Sequence, residues 1–171
     1  MTCPPASSDD LAEVEAQLGF PLPPLLRRVY GTVINGIGPG HGLLIVGDGE
    51  GTLASEYRRR IDSTYAPEPG EPGYDQYPWP ERLLPICDWG CAIWSCLDCR
   101  SHDGPIVTAS SGEAFADTGH TVRTWLSAWL AGEDLFEQMF ETGPSRTAIN
   151  PFTKQPMVIR GQGKPKGPRW P

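Results

Sequence analysis

Residues 84–99 read LPICDWGCAIWSCLDC, the densest run of β-forming, aromatic and cysteine residues in the chain. Gly90 divides it, so 84–89 and 92–98 read as two short strands joined where a bulge or tight bend needs positive φ. This is the central hairpin around which the other segments are placed. Helical patterns precede and follow it. The expected fold is therefore α+β, a mostly antiparallel sheet whose central hairpin packs against N-terminal, middle and C-terminal helices.

Upstream, Asp10 and Glu13 have the spacing of a capping box. Leu11, Val14 and Leu18 then fall on one helical face, and Gly19 supplies the stop. Pro24 suits the first turn of a second helix, with Leu25, Leu26, Val29, Tyr30 and Val33 as its apolar stripe and Asn35-Gly36 as its end. Residues 43–46 are a short apolar run bounded by glycines, which reads as a strand. The loop Gly47-Asp48-Gly49-Glu50-Gly51 alternates glycine but carries two carboxylates and no GK[ST], so it is a turn rather than a phosphate cradle. Thr52 caps a third helix through Leu53, Tyr57 and Ile61, on which Arg58-Arg59-Arg60 reads as a solvated helix end. Residues 63–81 follow with five prolines and the aromatics Tyr65, Tyr74, Tyr77 and Trp79.

Downstream, Ser101 to Pro105 reads as a turn, 106–109 as a third strand and 110–119 as a connection. Thr121 then caps the strongest helical pattern, with Val122, Trp125, Leu126, Trp129 and Leu130 on one face and Phe136 and Phe140 continuing past Gly132. From Thr142 onward the sequence is proline-rich and basic with little periodicity, so it should lack a core of its own. The organisation expected is one domain over 1–145 and a basic Pro/Gly-rich tail over 146–171.

Charge is distributed unevenly. The tail holds six basic residues and no acid, which leaves 1–145 with eight basic and 21 acidic residues, a net of −13 against −7 for the whole chain. An acidic body repels nucleic-acid phosphate and attracts basic protein surfaces. No apolar run approaches the ~20 residues of a membrane span. Residues 1–10 lack a basic stretch followed by an apolar one, which argues against a secretory leader. Five cysteines, an odd number with four in one hairpin, do not form a secreted disulfide framework. The expectation is a cytoplasmic protein with reduced thiols.

The order of motifs carries a family resemblance. Gln17-Leu18-Gly19-Phe20-Pro21-Leu22-Pro23, then Tyr30, then Asn35-Gly36, resembles the LG…LP…Y…NG opening of the SUKH superfamily. The segment from Leu84 to Cys91 is similar to the strand region that follows in a bacterial subset, and Trp125-Leu126 with Trp129-Leu130 and Gly132 is similar to its terminal helix. The resemblance spans most of residues 9–140. It implies a non-enzymatic protein-binding domain, since bacterial members act as immunity proteins that bind and neutralise toxin domains, often nucleases. A fungal relative is a regulator of cell-wall synthesis, so a regulatory scaffold is the alternative. The insertion over 63–81 and the basic tail depart from the pattern.

Chemistry points the same way. Cys87, Cys91, Cys96 and Cys99 meet the ligand count of a thiolate zinc site, but only Cys96 and Cys99 have Cys-x2-Cys spacing. As strand residues, those two point to opposite faces. Packing as small hydrophobes is the favoured reading and a four-cysteine zinc module the alternative. His41, His102 and His120 sit in turn-like segments with no Gly-x-Ser-x-Gly elbow, so no catalytic group and no cofactor is expected. The candidate partner-binding residues are the aromatics Tyr65, Tyr74, Tyr77 and Trp79 with the acids Glu68, Glu71, Asp75 and Asp103. A competing reading folds the aromatics back over the sheet edge.

Overall fold

A computed structural model of the chain describes residues 4–62, 68–69, 78–110 and 115–138 in full, and 143–149 and 156–161 through their backbone. Three of its helices start by one device. Ser7, Thr52 and Thr121 are the N-caps of α1 (Ser8–Leu18), α3 (Leu53–Ile61) and α4 (Val122–Leu130), each with its hydroxyl accepting from the N–H three residues on. Asp10, Ser55 and Thr124 return the bond to the cap's own N–H at 2.9 Å in all three cases. The box expected at Asp10 and Glu13 thus lies three residues earlier. Asp10 is its far member, and hydrogen bonds from Ser7 hold its carboxyl below the usual carboxylate range. Gly19 ends α1 at φ 77° with its N–H on the Glu15 carbonyl, a left-handed C-cap. Helix α2 (Pro24–Thr32) begins at its proline, as expected.

Four strands form one antiparallel sheet in chain order: β1 (Leu83–Asp88), β2 (Ile93–Asp98), β3 (Pro105–Ser110) and β4 (Ala116–Thr121). The central hairpin is β1–β2, paired from Leu83 with Asp98 to Asp88 with Trp94 and broken by a bulge between Pro85 and Cys87. Successive residues of β1, of β3 and of β2 from Ser95 onward are buried whichever way they point, so these strands are covered on both faces. That burial is why residues 84–99 read as a continuous apolar run instead of an alternating one. Helix α3 packs on β1 and α1, α4 packs on β3 and β4, and α2 bridges α1 and α4.

Several expectations are corrected. Residues 43–46 form two isolated bridges, Leu43 with Cys87 and Ile45 with Thr52, and no strand. The segment runs beside β1, where the Leu44 N–H donates to the Ile86 carbonyl at 2.9 Å, and then turns away toward α3. It thereby covers part of β1's outer edge. The connection expected over 110–119 gives way at Ala116 to β4, whose sequence ADTGHT is polar because it lies at the sheet's other edge, where only Ala116 of its residues is buried. Leu130 is 78% exposed. The buried face of α4 is centred on Trp125, and Leu130 lies about 140° round the helix from it. Val33 and Ile61, expected in apolar stripes, are also exposed at the ends of their helices.

The aperiodic tail also contains structure. Strands β5 (Gly143–Ile149) and β6 (Pro156–Gly161) pair antiparallel as a second, two-stranded sheet. The division expected at 145/146 falls within β5. Between α4 and this sheet lies a single turn, α5 (Leu135–Gln138).

Candidate protein-contact surface

Arg60 stands seven residues beyond Leu53, about 20° from it around the helix, and so faces the sheet rather than solvent. It is 7% exposed, which corrects the solvated helix end expected for the arginine run. Its guanidinium donates to Glu56 Oε2 at 2.6 Å and to the Glu56 carbonyl at 3.0 Å. The same group lies 4.1 Å from the Trp94 ring centroid and 5.2 Å from that of Trp79. Arg58 and Arg59 point outward, Arg58 to Gln17 and Arg59 to Glu56. The cation therefore ties α3, β2 and the end of the 63–81 insertion together.

Trp79 takes the second of its two readings. It is buried, its indole N–H donates to the Leu83 carbonyl at 2.7 Å, and Phe115 meets its ring edge-on at 5.2 Å. Tyr65, Glu71, Tyr74, Asp75 and Tyr77 lie outside the described residues. Glu68 is exposed. Asp103 is exposed as well, beside His102 at 3.5 Å, on the rim of a cleft of about 460 Å³ between the first turns of α2 and α4. The structure thus does not bring Trp79, Glu68 and Asp103 into one described site.

A different surface collects apolar side chains. After α2 the chain doubles back, and Asn35 fastens the two limbs by donating to the Val46 carbonyl and accepting from the Val46 N–H, both at 2.8 Å. Gly36 packs so closely on Ile45 that a Cβ there would come within 2.6 Å of its Cγ2. Its φ of 98° is also one that other residues avoid. On this fastened loop Val33, Ile37 and Ile45 remain 64, 42 and 42% exposed, and the exposed acids Asp48 and Glu50 follow directly. Three exposed aliphatic side chains, followed in sequence by two exposed acids, have the composition that a contact surface for a basic, partly apolar partner needs. Sequence reasoning missed it by assigning Val33 to a buried stripe. The Asn35-Gly36 pair was the available signal.

The sequence model of the SMI1 / KNR4 family (SUKH-1) matches residues 5–131. The chain belongs to this family. The match runs from the approach to α1 through the end of α4, and so takes in the whole four-stranded sheet and the fastened loop. No curated protein and no solved structure matches the chain.

Within this SUKH-1 domain the four hairpin cysteines sit in different surroundings. Cys87 and Cys96 are buried, Cys99 is half-buried, and Cys91 is exposed at the hairpin tip. The Cys87 thiol donates to the Pro39 carbonyl at 3.1 Å. Burial pushes Cys87, Cys96 and Cys99 up to about 12, so all three stay protonated thiols, poor as nucleophiles near neutrality. Among the described residues no three His, Cys, Asp or Glu side chains gather around a point that a metal ion would occupy. His120 joins α4 to α5 through Thr124 Oγ1 at 3.3 Å and Gln138 Oε1 at 3.2 Å.

Proposed function

We propose that this SUKH-1 protein is a non-enzymatic immunity protein of the cytoplasm, which binds a toxin domain with a basic surface, such as a nuclease, and neutralises it. The binding unit is the family-matched part of the domain expected over 1–145, and the basic tail, 146–171, which shares the β5–β6 sheet with the residues just before it, is an extension. Family membership supports the binding role. The observation that carries the reading furthest is the fastened loop, where Val33, Ile37 and Ile45 are exposed on a body of net charge −13, with Asp48 and Glu50 following in sequence. The net negative charge of the body, Asp48 and Glu50 included, steers a cationic partner in, and the exposed aliphatic side chains supply the desolvated contact once it docks. An inhibitor of an enzyme that grips nucleic-acid phosphate has reason to be anionic.

The test is co-expression with toxin domains encoded beside the gene. The expected result is a complex that survives purification, relief of toxicity, and association that slows as salt is raised. No complex and no relief with any of them defeats the proposal. A stable assembly with non-toxin proteins would favour a scaffold instead.

A further inference from the structure

The body of this protein contains no lysine before Lys154, and its eight cations are all arginines. Most are spent on internal contacts. Arg27 pairs with Glu15, Arg59 and Arg60 with Glu56, and Arg100 with Asp98. Arg58 donates to Gln17, and Arg82 lies over the Phe20 ring. Two remain: among the described residues, the guanidiniums of Arg28 and Arg123 have no ion pair, hydrogen bond or aromatic partner. These two come from different helices, ninety-five positions apart in sequence. Both line the same cleft of about 460 Å³ between the first turns of α2 and α4, together with His102.

We propose that this cleft binds an acidic peptide segment, with Arg28 and Arg123 each gripping a carboxylate and an aliphatic side chain of the peptide lying between them. The planar fork of arginine matches a carboxylate with two parallel hydrogen bonds, which a lysine cannot do. The remaining walls decide between a peptide and a free oxyanion. Pro23, Pro24, Leu25 and Val122 give the cleft an apolar side that a lone inorganic anion has no use for. Its volume falls in the range that encloses organic ligands, roughly 300–1,000 Å³. Both helices also point their positive ends toward it, which adds to the same sign of potential. Asp103 is the one carboxylate on the lining, and it sits at the rim, 90% exposed, so water screens it. The site is independent of the toxin-binding reading, because it has the opposite charge and lies between other elements.

The test is titration of the full-length protein with an acetylated, amidated pentapeptide alternating glutamate and leucine, followed by backbone amide shifts and calorimetry. The expected result is saturable binding with shifts centred on 23–28, 102–103 and 121–123. Affinity should fall at least tenfold for the glutamine version of the peptide, and again for Arg28→Gln or Arg123→Gln. Both arginines are exposed, so the variants should keep the unfolding temperature of the parent, and that measurement accompanies the titration. Absence of saturation at millimolar peptide overturns the proposal. So does equal binding by the double variant, or binding of sodium phosphate as tight as that of the peptide at matched ionic strength.

Discussion

Replacing Arg60 by alanine should be one of the most damaging single changes available on α3. The substitution removes the 2.6 Å ion pair with Glu56, the bond to the Glu56 carbonyl and the stack on Trp94. Breaking a buried ion pair from one side typically costs ~3–5 kcal/mol, because the remaining charge is left in a poorly solvated place. Here Arg59 still holds Glu56 at 2.8 Å, from a side chain that is half exposed, and this relieves part of the penalty. The expected loss is therefore near the lower end, about 3 kcal/mol, or a fall of about 6–12 °C in the unfolding midpoint for a chain of this length. The signature is in the comparison. Arg60→Met combined with Glu56→Gln removes both charges and keeps the volume, so it should cost only ~1–2 kcal/mol, less than the single alanine change. Urea unfolding of the parent, the single variant and the double variant reads both numbers. If Arg60→Ala costs under ~0.5 kcal/mol, as a solvated helix end would, the clamp described here is wrong.

The hairpin tip offers a change in the other direction. Cys91 and Ala92 have φ of 52° and 58°, the left-handed central pair of the turn that the Ile93 N–H closes on the Gly90 carbonyl, a conformation that Asn-Gly fits best, so Cys91→Asn with Ala92→Gly should stabilise by ~1–2 kcal/mol. An unchanged urea midpoint would contradict that turn. Stability should fall as pH rises from about 9 toward 12, because Cys87 and Cys96 keep their protons in the fold at pH values where the unfolded chain releases them. Each contributes up to ~1.4 kcal/mol per pH unit in that window, and Cys87→Ala with Cys96→Ala should reduce the slope measured by urea unfolding while Cys99 keeps part of it. On α4, Trp125→Ala should cost ~3–5 kcal/mol while Leu130→Ser stays within ~0.5, and equal costs would mean the helix is rotated from the orientation described.

The central hairpin was readable because its strands are buried on both faces, which leaves an uninterrupted apolar run around Gly90. The helix starts were readable to within a residue or a turn, since a hydroxyl or carboxylate at the cap leaves a fixed spacing. The strand β4 was not readable. An edge strand needs apolar residues on one side at most, and ADTGHT has the composition of a loop. Arg60 was misplaced for a related reason: a charge on a helix reads as solvated unless its partner is known, and Glu56 one turn back gives no sign that the pair sits under Trp79 and Trp94. Exposed Val33 and Leu130 fail in the opposite sense. Apolar residues at the right spacing are counted into a stripe, although the width of the buried face is set by the neighbouring elements and not by the helix.

The candidate contact surface was legible only as Asn35-Gly36, a turn signal without a function attached. The acidic character of the body was plain from composition, but the exposure of Val33, Ile37 and Ile45 required the fold. The four clustered cysteines were the loudest chemical feature of the sequence. Their surroundings differ because the bulge after Pro85 and the turn at Cys91 send them to the core, the tip and the sheet margin.

The most direct test of the binding proposal is the dissociation constant of the complex it predicts with a toxin domain, measured for the parent and for Ile37→Asp and Ile45→Asp after circular dichroism confirms that both variants fold. A charge placed in the desolvated centre of an interface should cost about 2 kcal/mol or more, a loss of ~30-fold or greater for each. Unchanged affinity in both variants, with the fold intact, would contradict the claim that this loop is where the protein meets its partner.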